Sequence, residues 1–185
     1  MSSTPINLEA PLSMEDIETL RSGDVVRLSG VLYTARDAAH ARMKEAIETG
    51  DPLPFEPDGQ VVYFTGPAPA RPGQALGPAG PTTASRMDPH SPMLVERGLR
   101  GMVGKGSRSE LVLEAMRQHG CVYFGAVEGT AALLADCVKE AEVIGYEDLG
   151  AEAVRRLVVE DFPVVVVNDL HGGDLYREGR ERWRR

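Results

Sequence analysis

Gly101-Met102-Val103-Gly104-Lys105-Gly106-Ser107-Arg108-Ser109-Glu110, continuing through Leu111 to Gly120 and Cys121-Val122-Tyr123-Phe124-Gly125-Ala126-Val127, is the stretch that decides the fold. A short apolar run closes on a lysine flanked by glycines. Ser107-Arg108-Ser109-Glu110 then matches a capping box, in which a serine and a glutamate three residues apart satisfy backbone N–H groups at a helix start. Gly120 marks the helix stop, and the β-rich run from Cys121 to Val127 reads as the next strand. Strand, helix, strand is the repeating unit of an α/β protein.

The same alternation extends to both sides. Toward the N-terminus, Ser91-Pro92 opens a short helix ending near Gly98, and Val61 to Thr65 reads as a buried strand. Ala35 to Glu48 carries helix formers with Ala39, Met43, Ala46 and Ile47 as its apolar stripe and Gly50 as terminator. Asp24 to Tyr33 predicts strands turning at Ser29-Gly30. Ser13 and Asp16 cap a short helix within residues 1–22, which read as a peripheral approach segment. Toward the C-terminus, a helix is expected from Thr130 to Lys139 and a strand at Val143-Ile144. Arg156 to Phe162 and Val164 to Asp169 read as final strands separated by Pro163, and the charged tail, 177–185, as a solvated or frayed end. The predicted class is α/β, with mixed sheets flanked by helices.

Composition narrows the function. With 42% apolar and 26% charged residues among 185, the chain fits one soluble domain with a full core. No apolar run approaches the ~20 residues of a membrane span, and Met1 to Pro5 lacks the pattern of a secretory signal, so a cytoplasmic home is expected. A net charge of −8 argues against gripping a phosphate backbone. Cys121 and Cys137 stand sixteen positions apart without a C-x-x-C, which indicates neither a zinc site nor a disulfide framework.

Three segments carry candidate chemistry. Gly80-Pro81-Thr82-Thr83-Ala84-Ser85-Arg86-Met87-Asp88-Pro89 follows an irregular, proline-rich stretch, 66–81, that reads either as a binding loop or as a linker. If Thr82 or Thr83 caps a short helix, Thr82 and Arg86 share a face and present a hydroxyl and a guanidinium to one ligand; the alternative is a capped turn with Arg86 in solvent. In Ala35-Arg36-Asp37-Ala38-Ala39-His40, a strand feeds a helix, and Arg36 offers a planar fork for a carboxylate with His40 on the same face; a simple cap with a surface histidine is equally open. Lys105, between glycines ahead of a helix, suits a carboxylate or a solvated turn, and the spacing is not that of a P-loop. Asp169-Leu170-His171-Gly172-Gly173-Asp174 superficially resembles a metal loop but reads more economically as a tight turn.

Ser22-Gly23-Asp24 with Leu28-Ser29-Gly30, Tyr33 to His40, Phe64-Thr65-Gly66-Pro67, Gly80 to Pro89, Gly98 to Gly106, Tyr146 to Gly150 and Val159 to Pro163 together resemble the β subunit, or C-terminal domain, of class I fumarases and the related two-subunit tartrate dehydratases. The resemblance implies a swivelling β/β/α domain at 23–176 that closes over a partner α subunit in an α2β2 assembly. The partner would hold a [4Fe-4S] cluster on three cysteines, which this chain's two cysteines cannot supply. It further implies that Arg36, Arg86 and Lys105 bind substrate carboxylates and that Thr82 is catalytic, with His40, Thr83 and Asp88 in support. The reaction implied is reversible hydration of fumarate to malate. His171-Gly172 is reminiscent of the tartrate branch, and a non-catalytic carboxylate-binding scaffold is the third reading.

Overall fold

The computed structural model describes residues 4–127 and 129–184. Strands β1 (Ile6–Ala10), β2 (Val25–Thr34), β3 (Val61–Tyr63), β4 (Gly101–Gly104) and β5 (Val122–Gly125) lie side by side in that order, all parallel. The 15-residue β7 (Val154–Asn168) runs antiparallel and pairs with both β5 and β2. Its two partners close β2, β3, β4, β5 and β7 into a ring. β6 (Val138–Gly145) pairs with the first part of β7, on the edge that β5 takes over further along. The predicted α/β class holds, as one sheet of seven strands.

Period-two alternation in the central strands explains why both faces are buried. Val61, Tyr63, Val103, Val122 and Phe124 point to one side, where they meet Val26, Leu28, Leu157, Phe162 and Val164 inside the ring. Val62, Phe64, Met102 and Tyr123 point to the other side, which is covered by α2 (Asp37–Thr49), α3 (Ser91–Val95) and α4 (Glu110–His119) through Ala39, Met43, Leu94 and Val112. Each fully buried large side chain contributes about 1.5–3 kcal/mol, so neither cluster is dispensable.

Several expectations are corrected by long-range pairing. The strands expected to turn at Ser29-Gly30 are one continuous β2, and those expected to break at Pro163 are one continuous β7. The register slips between Leu28 and Gly30, where Asp161 takes a positive φ of 53° and its N–H donates to Ser29 Oγ. Turn-type residues on both strands therefore encode a β-bulge, which tolerates a proline, rather than two hairpin turns. The segment before Ser22, expected to be peripheral, supplies β1 and buries Leu8, Leu12, Ile17 and Leu20, with α1 (Met14–Glu18) capped by Ser13 and Asp16 as predicted. The capping box at Ser107 and Glu110 does not form: α4 begins after Ser109, and the Asp88 carboxylate accepts the Ser109 N–H instead. α5 (Ala131–Asp136) is shorter than expected, and the tail is a surface helix, α6 (Leu175–Trp183), whose N-cap Asp174 accepts from Arg177 N. Stretch 66–81 is a folded loop closed by Ala68 N donating to Pro78 O at 2.9 Å, not a linker.

Gly30 shows how tightly β1 and β2 meet. Its φ of 94° is left-handed, and a Cβ there would lie on the Ala10 carbonyl oxygen. Gly30→Ala is expected to destabilise the chain by about 2 kcal/mol or more in urea denaturation; a loss under about 0.5 kcal/mol, the range of ordinary surface changes, would contradict this packing.

Candidate functional site

Because β2, β3 and β4 are adjacent and parallel, their C-terminal ends share one edge, the position where α/β sheets present ligand-binding loops. Beyond that edge β2 leads to Arg36, β3 to Phe64-Thr65-Gly66, and β4 to Lys105. The segment 82–84 is stitched between the last two: Thr82 N donates to Phe64 O at 2.6 Å, Lys105 N donates to Thr82 O at 3.2 Å, and Ala84 N donates to Lys105 O at 2.8 Å. Thr82 is thus fixed by its backbone, with its side chain half-buried. A short 3-10 turn, Ala84–Met87, follows and carries Arg86. Thr83 stands at its N-cap without a side-chain cap bond, so the hydroxyl-capped helix considered from sequence is not what positions Arg86.

Asp37 brings the two arginines together. Arg86 Nη2 donates to Asp37 Oδ2 at 2.7 Å, and Arg36 Nη2 lies 3.6 Å from Asp37 Oδ1. Arg36 also pairs with Glu152 at 3.1 Å, while the other Glu152 oxygen accepts the Ala38 N–H at the start of α2. Gly66 makes room for this arrangement, since a Cβ there would press on Arg36 Nη1 at 3.2 Å. Burial raises the Asp37 pKa, but backbone hydrogen bonding and then Arg86 and Arg36 outweigh it and hold the carboxyl below its ordinary value. From the sequence Asp37 reads only as part of a helix cap with Arg36, and Glu152 carries no candidate role. Asp37 adjoins Arg36 and was readable as its partner, whereas Glu152 arrives from a distant turn with no local signal.

His40 does share a helix face with Arg36, but its ring is buried and bonds the backbone: Nδ1–H donates to Arg36 O at 2.9 Å. Its Nε2 is enclosed without a partner. Asp88 holds Arg108, whose side chain is completely buried, through Arg108 Nε at 2.8 Å. Arg108 also donates to Ser91 Oγ at 2.6 Å and lies 5.2 Å from the ring centres of both Phe64 and Tyr123. Arg108 carries no signal of this role in the sequence, because it stands inside an apparent capping box.

The edge therefore gathers Arg36, Arg86, Thr82 and Lys105, but not around one closed cavity. Lys105 and Thr83 line a cavity of about 570 Å³ with Gly106, Ala126, Leu175 and Tyr176, and the Gly106 N–H donates to Tyr176 Oη at 3.2 Å. Arg36 and Arg86 lie outside it, and Arg86 is half exposed. The metal-like Asp169 loop is a turn: Asp169 accepts N–H groups of Ser22, His171 and Gly173, and His171 Nε2–H donates to Glu18 O at 2.9 Å. Among the described residues no group of three or more His, Cys, Asp or Glu is placed to hold a metal ion. Cys121 is buried at the start of β5, and Cys137 follows α5 with its thiol donating toward Leu133 and Asp161 carbonyls. The donor set of this chain does not fit an iron-sulfur cluster.

These features define an α/β module with a cationic edge assembled from three separate loops. The family model described as Fumarase C-terminus matches residues 1–179, and the chain belongs to that family. Fumarate hydratase 2 of Leishmania major is 38% identical over 179 residues, covering 95% of this chain and 32% of that protein. The aerobic class I fumarate hydratase of Escherichia coli K12 is 39% identical over 153 residues, covering 82% and 28% respectively. A protein of Methanocaldococcus jannaschii named as a beta subunit of L(+)-tartrate dehydratase is 35% identical over 173 residues, covering 90% of this chain and 89% of its own length. The chain thus spans about a third of the fumarate hydratases it matches but nearly all of the relative named as a beta subunit.

Burial pushes the His40 pKa down from 6.5 to about 4; the bond to the Arg36 carbonyl opposes this, and the charges of Arg108 and His90 reinforce it. A base with a depressed folded-state pKa binds fewer protons folded than unfolded between those values, so its contribution is complete above pH 6.5 and lost as pH falls toward about 4. The unfolding free energy is expected to drop by roughly 3 kcal/mol across that window from this group. His40→Asn, whose amide N–H can replace the bond to Arg36, is expected to flatten the slope in urea denaturation; an unchanged slope would place its origin elsewhere.

Proposed function

We propose that this chain is the β subunit of a two-subunit iron-sulfur hydro-lyase that interconverts fumarate and (S)-malate. The observation that carries the reading is the arrival of Arg36, Arg86 and Lys105 from three loops at one sheet edge. Supporting it, the fumarate hydratases it matches contain about twice as much chain again, whereas the tartrate-type relative is a separate subunit of nearly the same extent. In this reading the partner α subunit holds the [4Fe-4S] cluster, the assembly is α2β2 in the cytoplasm, and the body at 23–176 swivels over the partner, carrying β1 and α1 with it. Among the described residues no helix is long and apolar enough to cross a membrane.

The chemistry demands such an edge. Removing the proton next to a malate carboxylate builds negative charge on that carboxylate in the transition state. Arg36, Arg86 and Lys105 bind the two carboxylates, and fixed cations stabilise the developing charge without reorganising, at about 3–4 kcal/mol per well-placed donor. Closure over the partner strengthens this by excluding water from the half-exposed Arg86. Thr82, held by backbone bonds on both sides, handles the proton at the carbon. Its hydroxyl is protonated at neutral pH, so as it takes the proton from the carbon it gives its own to a carboxylate of the partner, while hydroxide departs from the neighbouring carbon, for which the partner's cluster would supply a Lewis acid. His40, Thr83 and Asp88 act behind these groups, His40 on the Arg36 backbone and Asp88 on Arg108.

A tartrate substrate is the second reading, favoured by the tartrate-type relative. His171 does not add to it, because its ring is engaged by Glu18 O beyond the far end of β7. In the assembled enzyme, Arg86→Ala is expected to lower turnover by about 10²- to 10³-fold while leaving subunit association within about threefold of wild type. Turnover near the wild-type value would remove Arg86 from the mechanism.

A further inference from the structure

The cationic edge is already occupied by two carboxylates of the chain itself. Arg86 donates to Asp37 at 2.7 Å, and Arg36 pairs with Glu152 at 3.1 Å. Glu152 is built in, since its second oxygen accepts the Ala38 N–H. Asp37 is held differently. Its Oδ2 has Arg86, but Oδ1 is enclosed with no hydrogen-bond donor and stands 3.6 Å from Arg36, beyond bonding distance. Arg36 Nε, close by, is also enclosed and has no acceptor. Buried polar atoms are nearly always paired, and an unpaired one costs about 1–3 kcal/mol, so two in one cluster single it out as a place for a ligand to bind.

A substrate carboxylate supplies the acceptor that Arg36 lacks. It is an acceptor for Arg36 Nε, and it competes with Asp37 for the Arg86 fork, which is half exposed and open to approach. We infer that Asp37 is an internal counter-carboxylate: it holds Arg86, and a substrate carboxylate displaces it to take Arg86 over. This inference rests on the proposed hydro-lyase reading and adds to it a positioning residue that acts through Arg86. Asp37 then has two opposed effects. It keeps a long side chain oriented toward the edge before substrate arrives, which favours turnover, and it competes with the substrate, which weakens binding.

The test is steady-state kinetics of the assembled enzyme with malate, comparing wild type with Asp37→Asn, Arg86→Ala and the double variant. Asparagine at 37 keeps the size and a hydrogen-bonding oxygen at a partly exposed helix start while removing the charge. The expected result for Asp37→Asn is a KM lowered about 3- to 10-fold together with a kcat lowered about 10-fold, at unchanged subunit association. A merely structural role reduces the amount of active enzyme and leaves KM alone. The fall in KM is expected to vanish in the Arg86→Ala background. An unchanged or raised KM for Asp37→Asn in an otherwise active assembly would overturn the inference, as would an equal fall in KM without Arg86. Inactivity of the wild-type pair would strike the hydro-lyase reading first and take this inference with it.

Discussion

The buried contact between Arg108 and Asp88 is the constraint on which the site depends. A guanidinium with no exposed side-chain surface is costly to bury, and removing its counter-charge leaves a penalty of about 3–5 kcal/mol. Burial lowers the Arg108 pKa and Asp88 opposes the shift. The contact repays its cost by joining parts that local structure leaves independent. Asp88 lies just beyond the Arg86 turn and also accepts from Ser109, so one carboxylate ties the 82–88 segment to the N-cap of α4. Between them runs the backbone stitch of Thr82 and Ala84 to Lys105. Arg108, lying between the faces of Phe64 and Tyr123, anchors this assembly to β3 and β5.

The closed ring of strands supplies a rigid edge, and the loops beyond it supply the charge. With β2, β3 and β4 parallel, three loop starts lie near one another irrespective of how far apart they are in sequence. That geometry lets an acidic chain of net charge −8 carry a locally cationic edge, tempered by Asp37 and Glu152. The same edge remains open: Arg86 is half exposed, and the cavity beside Lys105 does not reach it. An open cationic edge is what a half-site requires if another chain provides the rest.

Local pattern made some of this legible and long-range pairing hid the rest. Helix α2 with its terminal Gly50, helix α4 with Gly120, and the capped α1 follow from spacing and end signals that act within a few residues. Arg86 and Lys105 stand out because prolines and glycines set them in irregular segments, and Arg36 because a strand feeds a helix there; the structure brings all three to one edge. The β2–β7 bulge was misread as turns and a break, since Gly30 and Pro163 carry the same local signature in a bulge as in a hairpin. β1 is too short and polar to announce itself, and it exists through pairing with β2. Glu152 and Arg108 owe their positions to contacts across the fold, so neither spacing nor composition marks them.

If this chain is half of an enzyme, it is inactive until its partner completes the site. Fumarate hydration, followed by loss of ultraviolet absorbance under anaerobic conditions, measures this directly with the chain alone, an iron-loaded partner alone, and the two mixed. Activity is expected in the mixture and in neither component alone. An intact, stably associated pair that leaves fumarate, malate and tartrate unchanged would contradict the half-enzyme reading, and the cationic edge would then belong to a binding scaffold.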